Sequence, residues 1–360
     1  MAEKKVFRGE IQYTQVLDPE GQLDTDVLQI ELDHDTIVEL YKQMLLARKI
    51  DEKALKLQRQ GRLGTYAAYK GQEAAQVGSV SAFEASDLIV PSYRDGAALL
   101  ARGLPLKKIF LYWSGDERGN LGLKSNNILP PSIPVGSHPV HAVGAIRARN
   151  IEGDDSAFGV TYFGDGATSE GDLLEAMNFA GVWNTPVLFF CQNNQWAISV
   201  PRDNQTASET LAQKALAFGF KGEQVDGNDL IAVRQATNRA RKYAISNREP
   251  YFIEAITYRR GDHTTADDAS RYRTREEVEQ WKQKDPLKRI RKYLQSKNYW
   301  SDTQQKNWSR ECDKIISEAI EAYENIEPAD AATIFKYTYK NMTPAHQEQK
   351  KELNRELRDG

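Results

Sequence analysis

Residues 160–196 read VTYFGDGATSEGDLLEAMNFAGVWNTPVLFFCQNNQW. Val160 to Phe163 is a short apolar run rich in β-formers, and Gly164-Asp165-Gly166 is a turn. Leu173 to Trp183 carries a helical pattern, and Val187 to Cys191 is a continuous apolar strand. Strand, turn, helix and second strand in this order make one crossover unit of a parallel sheet. Gly-Asp-Gly and Asn193-Asn194 are each commonplace as loop sequences. Their placement is not: each follows an apolar strand directly, and 26 residues lie between Gly166 and Asn193. The two loops are thereby expected at the carboxyl ends of neighbouring strands, where α/β sheets bind ligands.

Outward from this unit the alternation continues. A helical pattern begins at Asp35 (Ile37, Leu40, Tyr41, Met44, Leu45, Arg48, Ile50), with Asp33 or Asp35 as its cap. Glycines 61 and 64 interrupt it, and Gln72 through Phe83 reads as a second helix. Residues 211–218 are expected to be helical, Leu230 to Ile245 is amphipathic, and Tyr251 to Thr257 reads as another strand. The fold class is therefore α/β, a three-layer parallel sheet with helices on both faces. The first ~30 residues are polar and aperiodic and are expected to run extended over a surface. Residues 262–275 read as loop, 276–325 as charged helix, and the segment from about Pro344 as a charged tail or helix. We divide the chain into an N-terminal extension and helix (1–60), an α/β domain (61–275) and a C-terminal helical region with its tail (276–360).

Bulk properties exclude some classes of function. The 360 residues carry 48 Lys and Arg against 51 Asp and Glu, a formal net charge of −3. No long-range field draws the chain to nucleic acid or an anionic membrane, so any anion must be held by a local site. Two cysteines, Cys191 and Cys312, cannot build a disulfide framework. Cys191, within an apolar run, is expected to be a small buried hydrophobe. The opening MAEKKVFRGE has no apolar stretch and mixes acidic with basic residues, so a cytoplasmic setting is expected.

The two loops offer a specific chemistry. Asp165 presents a hard anionic oxygen, Asn194 a neutral carboxamide oxygen, and the Trp196 main-chain carbonyl a third. Three protein oxygens leave half of an octahedron for two diphosphate oxygens and a water, which suits Mg2+. Gly164 and Gly166 allow backbone to approach a ligand, and the N-terminus of the helix that follows can donate to phosphate. His263 lies among Asp262, Asp267, Asp268, Arg259 and Arg260 in a segment too polar for core. His34 and His346 are expected at the surface, and His141 is read as structural.

At this point the chain is recognisable by resemblance. Gly-Asp-Gly, 26 residues, then Asn-Asn matches the thiamine diphosphate motif. Four further segments agree: QGRLGTYAAYKGQEAAQVGS at 60–79, VPSYRDGA at 90–97, ILPPSIPVG at 128–136 and HTTADDASRYRT at 263–274. From about Leu32 to about Tyr299 the chain resembles the alpha subunits of the decarboxylating first component of pyruvate dehydrogenase complexes, in the bacterial two-subunit form. The resemblance implies a thiamine diphosphate-binding fold with helical extensions. It implies thiamine diphosphate and Mg2+ as cofactors, with Asp165, Asn194 and the Trp196 carbonyl on the metal and Gly166 and Ala167 against the cofactor. It places Gln72, Tyr93 and Arg94 on the diphosphate side and the main chain of Ile133 and Val135 at the aminopyrimidine. It puts His263 near the diphosphate and the reaction centre as the catalytic residue, with Arg259, Tyr272 and Arg273 positioning its loop.

The implied reaction is decarboxylation of pyruvate and reductive acetylation of a lipoyl group on an acyltransferase core. The chemistry also needs a carboxylic acid against the aminopyrimidine. Only ~200–230 residues remain for α/β structure, enough for one such domain. A separate beta subunit, in a two-plus-two heterotetramer, is therefore expected to supply it. Branched-chain 2-oxo acid or acetoin dehydrogenase alpha subunits are the related alternatives, and a non-catalytic scaffold subunit is an alternative of another class. A nucleotide-binding module would need a P-loop or a Gly-x-Gly-x-x-Gly turn, and neither is present. The chain departs from its bacterial relatives in two places. The Ser114–Asn120 loop lacks a histidine, and Gly136-Ser137-His138 stands where Gly-Ala-Gln is usual, so His138 or Arg118 is the candidate replacement. Ala266 stands where animal relatives carry a regulatory serine, so the same phosphorylation is not expected.

Overall fold

The computed structural model describes residues 3–4, 6–31, 33–331, 333–336 and 338–359. Its strands are β1 (Tyr13–Thr14), β2 (Leu88–Val90), β3 (Gly159–Gly164), β4 (Val187–Asn193), β5 (Trp196–Ala197), β6 (Val200–Pro201), β7 (Lys221–Asp226) and β8 (Tyr251–Ile256). Six of them form one parallel sheet in the order β1-β7-β8-β4-β3-β2, while β5 and β6 pair as a small hairpin. The 160–196 unit is the centre of that sheet. Gly159–Gly164 lies in register against Val187–Gln192, and Leu188–Asn193 against Tyr251–Ile256.

Both faces of the sheet are buried, which is why β4 reads as an unbroken apolar run rather than an alternation. Val160, Tyr162, Leu188, Phe190 and Ile253 point to one face. There they meet α1 (His34–Arg59), α2 (Glu73–Val80), α3 (Gly96–Ala101), α4 (Leu106–Trp113) and α8 (Leu230–Asn247). Phe163, Val187, Phe189, Cys191 and Phe252 point to the other, against α5 (Ser137–Ile151), α6 (Gly171–Trp183) and α7 (Lys214–Ala217). The architecture is the expected three-layer α/β/α arrangement.

Local chemistry explains the element boundaries. Asp33 caps α1 by accepting from the Thr36 amide at 2.9 Å, and Asp229 caps α8 through the Ile231 and Ala232 amides. The expected helix over 211–218 shrinks to α7. The Leu211 and Ala212 amides donate instead to the buried Glu254 carboxylate, at 2.8 and 3.0 Å. The charged segment 276–325 divides into α9 (Arg275–Gln283), α10 (Pro286–Ser296) and α11 (Asp302–Glu324). Asp285 caps α10 and Ser301 caps α11 in a reciprocal capping box. A short α12 (Thr333–Lys336) precedes α13 (Pro344–Asp359), which resolves the charged tail as helix. No described helix is long and apolar enough to cross a membrane.

The N-terminal expectation needs correcting. Residues 13–17 do not merely lie over a surface: β1 extends the sheet alongside β7, and Val16 and Leu17 are buried. Their amides donate to Asp229 at 2.7 and 2.6 Å, so one carboxylate both caps α8 and holds the incoming chain. His141, read as structural, is exposed on α5.

Candidate functional site

Four sheet strands deliver loops to the same carboxyl edge. Ser92–Arg94 follows β2, Asp165–Ala167 follows β3, Asn194–Ile198 follows β4, and Arg259–His263 follows β8. With Gln72 ahead of α2 and Val135–His138 at the start of α5, they enclose a cavity of about 200 Å3. Among the residues singled out from the sequence, the structure gathers Gln72, Tyr93, Arg94, Val135, Asp165, Gly166, Ala167, Asn194, Trp196, Arg259 and His263 around it. Ile133 is separate: its side chain is exposed and lines a different cleft with Trp113 and the 114–117 loop.

Asp165 is buried, and its two carboxylate oxygens differ. Oδ2 accepts from Gln205 Nε2 at 2.7 Å, whereas Oδ1 has no hydrogen-bond partner among the described residues. Burial raises its pKa above the usual carboxylate range. A buried anionic oxygen without a donor is costly unless a cation or donor meets it. Asn194 is buried as well. Its Nδ2 donates to Gln72 Oε1 at 3.1 Å, and its Oδ1 accepts only the long contact from the Trp196 amide, 3.4 Å. The Trp196 carbonyl accepts from Arg259 Nη1 at 3.1 Å, which leaves it one lone pair. Gly166 is required by packing: a Cβ there would stand 2.8 Å from the Ala197 Cβ. The helix read from Leu173 begins two residues earlier, at Gly171. A 3-10 turn, Asp165–Ser169, intervenes before α6, so the backbone lining the cavity is that of the turn.

Two buried arginines face the same cavity. Arg94 donates to the Ala68 carbonyl at 2.5 Å and to the His263 carbonyl at 2.8 Å. Arg259 donates to the Ile198 carbonyl at 2.7 Å and to the Tyr272 hydroxyl at 3.1 Å. Among the described residues neither guanidinium forms an ion pair with a carboxylate. Burial, then the charge of Arg94, lowers Arg259 to about 10. Two unneutralised guanidiniums beside a cavity form an anion site. Both also approach His263 Nδ1, at 3.0 and 3.3 Å. The Asp267 carboxylate holds the loop by accepting from the His263 amide at 2.7 Å and from the Tyr272 hydroxyl. Arg273 braces it from behind, donating to the carbonyls of Arg259 and Gly261.

Residues 41–331 match the model of the dehydrogenase E1 component family. The chain is 41% identical over 336 residues to a pyruvate dehydrogenase E1 component subunit alpha of Staphylococcus aureus, covering 93% of this chain and 90% of that protein. It is also 41% identical over 327 residues to a 3-methyl-2-oxobutanoate dehydrogenase subunit alpha of Mycobacterium tuberculosis, covering 91% and 89%. This chain belongs to the dehydrogenase E1 component family. It is an alpha subunit of the thiamine diphosphate-dependent 2-oxo-acid dehydrogenases.

Within this E1 alpha subunit the two candidate replacements for the missing loop histidine separate. Arg118 turns away from the cavity: it pairs with Asp116 at 2.6 Å and donates to the Glu327 carbonyl at 2.8 Å. His138 lines the cavity, fully buried, and among the described residues neither ring nitrogen has a hydrogen-bond partner. Burial, then His141, lowers its pKa to about 4, so the ring is neutral. Sequence reasoning missed Gln205, which steadies Asp165 from 40 positions away, and Gln192, which sits beneath Gln72. Neither carries a local signal, since both act only once the chain has folded back on itself.

Proposed function

We propose that this E1 alpha subunit serves a pyruvate dehydrogenase complex and binds thiamine diphosphate together with Mg2+ in the cavity at the carboxyl edge of its sheet. One observation carries the reading. A buried carboxylate oxygen without a donor, Asp165 Oδ1, shares a cavity with two guanidiniums without a carboxylate, Arg94 and Arg259. A cation bridged to a diphosphate satisfies both at once.

In this reading Asp165, the Asn194 carboxamide oxygen and the Trp196 carbonyl hold the metal. Arg94 and Arg259 take the diphosphate, the backbone of Gly166 and Ala167 lies against it, and Gln72 and Tyr93 wall it. The main chain of Ile133 and Val135 is assigned to the aminopyrimidine, and a beta subunit would complete the site in a two-plus-two heterotetramer. When bound, the cofactor supplies the electron sink on which a 2-oxo acid loses carbon dioxide. The chain's own part is to hold charge in place and to present His263. Guanidinium groups only donate, so a ring nitrogen facing two of them holds a lone pair and the proton resides on Nε2. His263 is therefore poised as a donor toward developing negative charge rather than as a base. Acetyl transfer to a lipoyl-bearing acyltransferase would be its place of action.

The equal identity to a branched-chain relative keeps 3-methyl-2-oxobutanoate as the second candidate substrate. Assembly with a partner beta subunit, followed by turnover on pyruvate and on 3-methyl-2-oxobutanoate at equal concentrations, decides between them. A higher kcat/KM for the branched acid overturns the pyruvate assignment. The isolated chain is expected to show no turnover with either, and full activity without a partner would refute the half-site reading.

A further inference from the structure

Beneath the cavity lies a continuous run of buried side chains from three separate parts of the chain. The Asp95 carboxylate is its origin. Asp95 Oδ2 accepts from the Ser92 amide and hydroxyl, at 2.6 and 2.7 Å, and Oδ1 accepts from Gln192 Nε2. Gln192 Oε1 then accepts from Gln72 Nε2 and Gln76 Nε2, at 2.9 Å each. Gln72 Oε1 accepts from Asn194 Nδ2 at 3.1 Å. Gln72, Gln76, Asp95, Gln192 and Asn194 are all buried, at 5% exposure or less.

A carboxamide has nearly the same shape after its oxygen and nitrogen exchange places, so packing alone cannot decide which way it points. Hydrogen-bond partners decide. A carboxylate only accepts, which turns Gln192 Nε2 toward Asp95 and Gln192 Oε1 away from it. Each following amide must then point the same way, and at the end of the run Asn194 directs its nitrogen inward. Gln76 fixes the direction independently. Its Oε1 accepts from the Ala97 and Ala98 amides, at 3.0 and 3.3 Å, and its Nε2 donates to the Arg94 carbonyl at 2.9 Å. Main-chain donors cannot reverse, so Gln76 also has to donate to Gln192.

We propose that Asp95 is a positioning residue that, through Gln192 and Gln72, orients the Asn194 carboxamide so that its oxygen is the atom offered to the metal. The proposal rests on the reading of Asp165 and Asn194 as metal ligands. Reversal of Asn194 would aim an N–H pair at a cation, and reversal of any one link would set N–H against N–H at a buried joint.

The test is the Mg2+ affinity of the assembled alpha–beta enzyme, titrated into metal-stripped protein at saturating thiamine diphosphate, alongside the melting temperature. In Asp95→Asn the Ser92 amide must be met by the new oxygen, so the new NH2 faces the Gln192 NH2. Mg2+ affinity should fall roughly 10–100-fold, the range typical of groups that orient metal ligands. In the double variant Asp95→Asn/Gln192→Glu the pure acceptor moves one link along, and every joint again pairs donor with acceptor. Its affinity should return to within about threefold of the parent. A merely structural role predicts the reverse, since two buried changes would weaken binding at least as much as one. Parent-like affinity in Asp95→Asn, or no recovery in the double variant, overturns the proposal. Should Asp95→Asn fail to assemble, the double variant decides alone: near-parent affinity supports the relay and a loss of about tenfold or more refutes it. Asp165→Ala is the reference. If it binds Mg2+ like the parent, the metal reading fails and the relay with it; if it loses Mg2+ while the relay variants do not, the relay alone fails.

Discussion

Arg94 Nη2 and Arg259 Nη1 converge on one atom, His263 Nδ1, at 3.0 and 3.3 Å. Burial, then the two guanidinium charges, hold the His263 pKa down to about 3. The sign of the stability effect follows. An unfolded histidine takes up a proton near pH 6.5, whereas the folded one stays neutral, so this residue's contribution is present above pH 6.5 and is lost as the pH falls below it. Asp51, Asp95 and Asp229 act oppositely, because burial raises them to about 7, 6 and 6. The effect must therefore be read as a difference. Chemical denaturation at pH 7 and pH 5 should show that His263→Asn loses less stability on acidification than the parent, by at most about 2 kcal/mol. An equal loss in both proteins would mean that His263 is protonated in the folded chain.

Asp165 and Asn194 are the proposed metal ligands. Asp165→Ala deletes the proposed anionic ligand and should abolish Mg2+-dependent binding of thiamine diphosphate to the assembled enzyme, while Asn194→Ala should weaken it strongly. Neither change should destabilise the apo protein by the ~3–5 kcal/mol expected for breaking a buried ion pair, because among the described residues Asp165 has no such pair. Calorimetric titration and melting curves together check both halves. Parent-like affinity in the two variants would refute the metal assignment.

How far the sequence could be read depended on how local the cause was. The apolar run of β4 and the crossover to it from β3 follow from residue type and spacing alone, and they locate Asp165 and Asn194. β2 has three residues ahead of Pro91, too few to show a period. β7 reads KGEQVD, and its polar residues hide a strand whose Glu223 is buried against Arg239. β1 is invisible for a further reason: its two residues become a strand through partners far along the chain, β7 beside them and Asp229, which captures the amides of Val16 and Leu17. In the site, residue types foretold an anion-binding cavity. The amides of Gln72, Gln76 and Gln192 gave no sign of being linked, because their partners lie up to 122 positions apart.

Gly71 offers a stability test outside the chemistry. Its φ is +103°, and a Cβ there would lie 2.2 Å from the Tyr258 carbonyl oxygen. This contact lets the 66–72 segment lie against the segment after β8, and the Thr257 hydroxyl donates to the Gly71 carbonyl across it at 3.0 Å. Gly71→Ala must move one of two backbones, beyond the ~1–3 kcal/mol of an unfavourable φ. We expect a loss of at least ~3 kcal/mol in denaturant titration, with Gln72 displaced. A loss below about 1 kcal/mol would show that the two segments are not held as described.

Two roles of His263 can be told apart. The ring lines the cavity, its Nδ1 is committed to Arg94 and Arg259, and its proton is on Nε2. A donor in that place stabilises negative charge on a reacting group, but the same ring also ties two arginines to one loop. Decarboxylation can be followed with an artificial electron acceptor, which bypasses the lipoyl step. If His263 acts in acetyl transfer, His263→Ala should lower transfer to a lipoyl domain by roughly 10²–10⁴-fold, the range of a positioned acid or base, and spare decarboxylation by comparison. If it only orders the loop, both rates should fall together and the cofactor should bind more weakly. His263→Asn sharpens the distinction, because its side-chain oxygen can still accept from the guanidiniums while the imidazole is gone. Parent-like cofactor affinity in that variant, with transfer lost and decarboxylation kept, is the expected outcome. Equal losses in the two assays at saturating cofactor would reject the transfer role and leave His263 as the residue that holds Arg94 and Arg259 together.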